Sequence, residues 1–143
     1  MSHRFIEEEA TADVAFEAYG EDLPEVFRSA GDAVMNVMVD NLEAIKPIEK
    51  RVIETDNEEL DLVLLDLLQS LIYYKDAEQL LLRISSVNIS EHNRGWHLHA
   101  QAQGERLDPD RHHLLADVKA VTLHDFRLEK VDSGWRAHII LDI

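Results

Sequence analysis

The 143-residue chain has no cysteine, which excludes disulfides, thiolate-bound metal and a cysteine nucleophile and is compatible with a reducing compartment. No apolar run approaches the ~20 residues of a membrane-spanning helix, and Met1-Ser2-His3-Arg4 leads into acidic residues instead of a signal-peptide core. These absences predict a soluble, cytoplasmic protein without membrane contact. There is no glycine-rich phosphate loop, no nucleophile elbow and no supported Ser, His and Asp ordering, so catalysis by the chain alone has no sequence argument. Basic residues are few, with 14 Lys and Arg against 29 Asp and Glu and a net charge of −15. An acidic surface repels phosphate backbones, which argues against direct RNA or DNA binding and favours basic protein partners or cations. By itself such a balance can equally be a solubility device.

Hydrophobic residues make up 45% of the chain, sufficient for a packed core without cross-links, and no repeat or linker divides it. A single domain over residues 1–143 is expected. Val14, Phe16 and Ala18 alternate with polar or small neighbours, predicting a half-buried strand that stops at Gly20. Asp22-Leu23-Pro24-Glu25 offers an N-cap, an early proline and an acid at capping-box spacing. The stripe Val26, Phe27, Ala30, Val34, Val37 and Met38 then predicts a helix from about Leu23 to Val39.

After Pro47, Lys50–Glu54 reads as a short strand, and Asp56-Asn57-Glu58-Glu59 as a second capping box. Leu60, Val63, Leu64, Leu67, Leu68, Leu71 and Ile72 recur at three and four. That face is wide enough to pack on a sheet and lasts too few heptads for a coiled coil. Leu80, Leu82 and Ile84 share one phase and Val87 and Ile89 the other, which predicts a bulge near Ser85-Ser86. Asn93-Arg94-Gly95 turns the chain into a strand with Trp96, Leu98, Ala100 and Ala102 inward and His97, His99, Gln101 and Gln103 outward, ending at Gly104. Glu105–His113 is the longest predicted loop, Lys119-Ala120-Val121-Thr122 opens the last pair of strands, and Asp132-Ser133-Gly134 is their turn. The predicted class is α+β, an antiparallel and two-layered sheet with two helices packed on it.

One carboxylate lies just inside each end, Asp13 and Asp142. If the terminal segments lie side by side, the two can share a cation, with the α-carboxylate of Ile143 as a third hard oxygen. Oxygen sets of that kind suit Ca²⁺, Mg²⁺ or Mn²⁺. His97 and His99 at i and i+2, with His112-His113 in the long loop, lack cysteine partners or a zinc spacing, and read as solvated face and loop residues. Trp96 and Trp135, each following a glycine, read as packing anchors at hairpin starts.

Taken together, Thr11-Ala12-Asp13, Tyr19-Gly20, Leu71-Ile72-Tyr73, Asp117-Val118-Lys119-Ala120-Val121-Thr122 and Leu141-Asp142-Ile143 resemble the archease family along nearly the whole chain. The resemblance implies a small α+β accessory protein, not an enzyme, that assists an RtcB-type RNA ligase in tRNA splicing and RNA repair. It would promote GTP-dependent guanylylation of the ligase and repeated turnover. By the same resemblance Asp13, Asp142 and the Ile143 carboxylate hold a divalent ion, Ca²⁺ first among the candidates, and Lys119 with Asp117 belongs to the segment that acts on the partner. The chain departs from the family pattern at Ala10, usually histidine, at Ser70, usually an acid, and at Asp117, usually glutamate. Two other readings remain open at this point. One is a stand-alone metal-dependent phosphoester hydrolase using the Asp13/Asp142 cation; the other is a chaperone-like module.

Overall fold

In the computed structural model, which describes residues 2–6 and 13–143, two antiparallel sheets share one core through two helices. The larger sheet contains β1 (Ser2–Ile6), β2 (Asp13–Gly20), β6 (Ala120–Val121), β7 (Arg127–Val131) and β8 (Gly134–Asp142). Its order is β1-β2-β8, and the far side of β8 is divided between β7, along Gly134–His138, and β6, along Leu141 and Asp142. The smaller sheet has the order β3-β5-β4, with β3 at Glu49–Asn57, β4 at Leu80–His92 and β5 at Gly95–Arg106. Helix α1 (Leu23–Met38) packs on β2 and β8 of the larger sheet and β4 of the smaller. Helix α2 (Leu60–Glu78) packs on β3, β4 and β5 and reaches β6 and β7. The α+β class with two helices and a two-layered antiparallel sheet is the one expected.

Local chemistry explains most boundaries. Asp22 caps α1, its carboxylate accepting from the Glu25 N–H at 2.9 Å, with proline in the first turn. The return bond of the box goes one residue further back, from the Glu21 N–H to the Glu25 carboxylate at 3.3 Å. Helix α2 starts without the second predicted box: Glu59 makes no side-chain cap bond. Asn57 accepts from the Glu59 N–H instead, and Asp56 belongs to β3 and faces β5. β3 runs past the predicted Glu54 because all nine of its residues pair with β5.

The register shift between Ile84 and Ser86 is the bulge expected there. Asn93 and Arg94 both take positive φ, 48° and 64°, as a two-residue hairpin turn of matching twist requires. β5 does not stop at Gly104 but continues to Arg106. Gly104 lies where the backbone of β4 comes so close that a Cβ would sit 1.6 Å from the Leu81 carbonyl oxygen. The last hairpin joins β7 to β8; Ala120-Val121 is a separate two-residue strand.

The core is filled by Phe16 and Ile139 from the larger sheet, Phe27 and Met35 from α1, Leu64, Leu67, Leu68 and Leu71 from α2, and Leu80–Leu82 and Leu98 from the smaller sheet, all fully buried. Trp96 and Trp135 pack against its edge. Among the described residues no helix is long and apolar enough to cross a membrane.

Candidate functional site

Asp13 opens β2 and Asp142 closes β8, and the antiparallel register places them directly opposite each other. Opposed residues of an antiparallel pair project from the same face with Cβ atoms roughly 4.5–5.5 Å apart, where two like charges repel. Asp142 is flanked on its other side by Ala120 of β6, and the Lys119 N–H donates to the Asp142 carbonyl at 2.8 Å. The segment then zips on, the Thr122 N–H donating to the Ile140 carbonyl at 3.0 Å. This register puts Thr122 on the face of Asp142, one pleat along, and its buried hydroxyl has no hydrogen-bond partner among the described residues. The rung thus sets two carboxylates opposite each other, oxygens of the hard type that divalent cations prefer. Among the described residues no three His, Asp or Glu side chains form a group that could hold a metal ion. Ala10, Thr11 and Ala12 lie outside the described residues.

The Lys119 side chain is exposed, and Asp117 does not join the rung. Its carboxylate is held by Lys75 of α2, whose ammonium donates to Asp117 Oδ1 at 2.5 Å and to the Val118 carbonyl at 2.9 Å, and pairs with Asp76 Oδ1 at 2.5 Å. Lys75 is 7% exposed. Burial alone would lower its ammonium, but hydrogen bonds to the Asp117 and Asp76 carboxylates outweigh burial and raise it above the ordinary lysine value. The sequence carries a signal for this residue. Lys75 continues the stripe of Leu64, Leu68 and Leu71, a charged residue at a position whose period demands an apolar one.

Residues 107–119 form a strap over this end of the fold. The Leu107 N–H donates to the Gln79 carbonyl, the Asp40 N–H to the His113 carbonyl and the Leu115 N–H to the Met38 carbonyl, at 2.7, 3.0 and 2.9 Å. Beneath it is a cavity of about 190 Å³ whose lining includes Met38, Leu81, Leu115 and Asp117. The strap's other anchor corrects the solvated reading of His112, which lies in the loop as expected but is buried with Glu105 beneath the more exposed Arg111. The Asp108 N–H donates to His112 Nδ1 at 2.9 Å, so Nε2 carries the proton toward Glu105 Oε1 at 2.7 Å. Burial opposes ionisation of Glu105, yet the Arg111 guanidinium, the Lys46 backbone N–H and His112 pull its carboxyl down to about 2.

His97 and His99 project from the outer face of β5 and take separate partners, Asp56 at 2.6 Å and Glu54 at 3.6 Å. Ser70, in the middle of α2, donates its hydroxyl to the Asp66 carbonyl at 2.9 Å.

The fold and the opposed carboxylates define a small α+β protein with an acidic rung where β2 meets β8. A model of the archease protein family matches residues 4–143. Protein archease of Pyrococcus abyssi is 37% identical over 136 residues, covering 94% of this chain and 95% of that protein, and its Thermococcus kodakarensis counterpart is 35% identical over the same coverage. A Methanobacterium thermoautotrophicum protein solved in solution superposes with a TM-score of 0.84 at 34% identity, covering 99% of this chain and 98% of that one. A Thermotoga maritima archease, described as a possible chaperone, shares the fold at a TM-score of 0.58 and 17% identity, with 96% of each chain covered. The chain belongs to the archease family.

Proposed function

We propose that this protein is a metal-binding accessory factor that activates an RtcB-type RNA ligase by promoting its GTP-dependent guanylylation. The observation that supports this reading is the Asp13–Asp142 rung with the Lys119 backbone hydrogen-bonded to the Asp142 carbonyl. Asp13 and Asp142, with the Ile143 carboxylate beside them, would hold a divalent ion, Ca²⁺ first and Mg²⁺ or Mn²⁺ next. A bound cation would supply fixed positive charge and cancel the repulsion between the two carboxylates.

Nucleotidyl transfer develops charge on phosphate oxygens, and such a step gains most from cationic groups held in place before it begins. The exposed Lys119 ammonium, whose own N–H and the preceding Val118 carbonyl are both anchored, is suited to that task. Asp117 and the surrounding acidic surface, in a chain of net charge −15, would meet a basic mouth on the ligase, giving fast association that weakens with salt. The protein itself makes and breaks no covalent bond in this scheme.

The test is guanylylation of the ligase from labelled GTP with the ligase limiting, with and without this protein, alongside Asp13→Ala, Asp142→Ala and Lys119→Ala. The reading expects stimulation by the parent chain and its loss in all three variants while they remain folded. Undiminished stimulation by Asp13→Ala and Asp142→Ala would overturn the role of the rung, and phosphoester hydrolysis without any ligase would favour an enzyme instead.

A further inference from the structure

We propose that Lys75 is a positioning residue for the activating end of the molecule, clamping the strap so that Lys119 and the Asp142 rung are presented in a single geometry. The proposal rests on the activator reading above. Lys75 occupies a core position of α2 where the helical period calls for leucine, and it brings an ammonium into a site that is 7% exposed. An ammonium has three N–H donors, and Lys75 faces three acceptors: Asp76 on its own helix, and Asp117 and the Val118 carbonyl on the strap. Two of these interactions reach across to residues that immediately precede Lys119. The next residue on the chain donates its N–H to Asp142, so Lys119 is held between the Lys75 clamp and the carboxylate rung with no free residue on the clamp side.

The arrangement has a consequence that packing alone would not need. The Asp117 side chain is 67% exposed and would be free to swing in water without Lys75. An apolar residue at position 75 would satisfy the stripe and fill the core, but would leave the Val118 carbonyl without its donor and the strap free to shift over the cavity that Asp117 and Leu115 help to line. Buried polar groups of this kind select one arrangement from several that an apolar core would tolerate. Burial opposes the ammonium, but the hydrogen bonds to Asp117 and Asp76 outweigh it and hold Lys75 above the ordinary lysine value, so the clamp does not titrate away at neutral pH.

The experiment compares the parent chain with Lys75→Met, Lys75→Leu and Lys75→Arg. For each, the maximal stimulation of guanylylation is measured separately from the concentration giving half of it, with melting temperature and amide hydrogen exchange of Lys119. Displacing a group by about 1 Å costs up to a hundredfold in well-organised sites. The expected result is a fall of about tenfold in maximal stimulation for Lys75→Met and Lys75→Leu, with half-maximal concentration unchanged, faster Lys119 exchange and melting at or above the parent. Lys75→Arg, which keeps the charge and the donors, should recover most of the stimulation. Wild-type maximal stimulation in folded Lys75→Met would overturn the proposal, and failure of both apolar variants to fold would make Lys75 a structural residue and overturn it too. Should the parent chain not stimulate any ligase, the activator reading falls first. Lys119 exchange and a Ca²⁺ titration of the Asp13–Asp142 rung then decide on Lys75: unchanged values in Lys75→Met reject it, and faster exchange with weaker Ca²⁺ binding sustains the clamp.

Discussion

Asp13 and Asp142 are separated by almost the whole chain and oppose each other on one rung of the β2–β8 pairing. Opposed like charges destabilise a sheet by a few tenths to about 1 kcal/mol. In chelator, Asp142→Asn should therefore melt slightly above the parent chain. Adding Ca²⁺ should reverse the order, since an ion present at a hundred times its dissociation constant stabilises the folded state by about 2.7 kcal/mol and the amide of the variant no longer supplies the second carboxylate. Thermal melts with and without Ca²⁺ check both halves.

Acid should act through Glu105. Its folded pKa of about 2 lies below the ordinary carboxylate value, 4.5, so its pairing with Arg111 and His112 contributes stability above that ordinary value and loses it as pH falls toward 2. Glu105→Gln should cost about 3 kcal/mol at neutral pH, as expected for removing one partner of a buried ionic cluster. It should also flatten the stability profile between pH 4.5 and 2. Urea unfolding at a series of pH values measures both.

Asp32 of α1 and Arg83 of β4 form a bidentate pair, Nε and Nη2 each 3.0 Å from a carboxylate oxygen, that ties helix to sheet. The pair raises the Arg83 guanidinium above its usual range. Asp32→Ala should destabilise by about 2 kcal/mol, and a double-mutant cycle with Arg83→Met should give a coupling on the order of 1 kcal/mol. Denaturant midpoints for the four proteins close the cycle.

Gly104→Ala should be among the most damaging small substitutions. The added methyl would fall 1.6 Å from a backbone oxygen, which cannot rotate away as a side chain can, so β4 and β5 must separate locally. A loss of about 3 kcal/mol is expected, visible as a lower melting temperature and faster amide exchange along Leu80–Leu82.

Periodicity read the helices, the inward faces of β2 and β5, and the bulge after Ile84, because burial on one side imposes a fixed spacing on apolar residues. It placed Gly104 at a strand end, since a glycine that ends a strand and one that admits a neighbouring backbone look alike in one dimension. It passed over Lys75 because a single lysine at the end of a leucine stripe resembles a helix exiting into solvent, and it left His112 in a solvated loop because nothing local marks the buried Glu105 beneath it. The family motifs named Asp13, Asp142, Asp117 and Lys119 from residue order alone.

By itself the sequence determined the two helices and most of the strands, the acidic character of the surface and membership of the family, because these follow from local propensity, apolar period, charge count and motif order; β1 and the split of the segment before β8 into β6 and β7 follow from pairing with distant strands. Tertiary structure alone decided that Asp13 and Asp142 share a rung, that the strap is fastened by Lys75 at one end and by Glu105, Arg111 and His112 at the other, and that Asp117 faces a helix instead of the rung. The physical reason is that strand register and the partners of buried charges are fixed by contacts between residues distant in sequence, where a change of one pleat exchanges every partner.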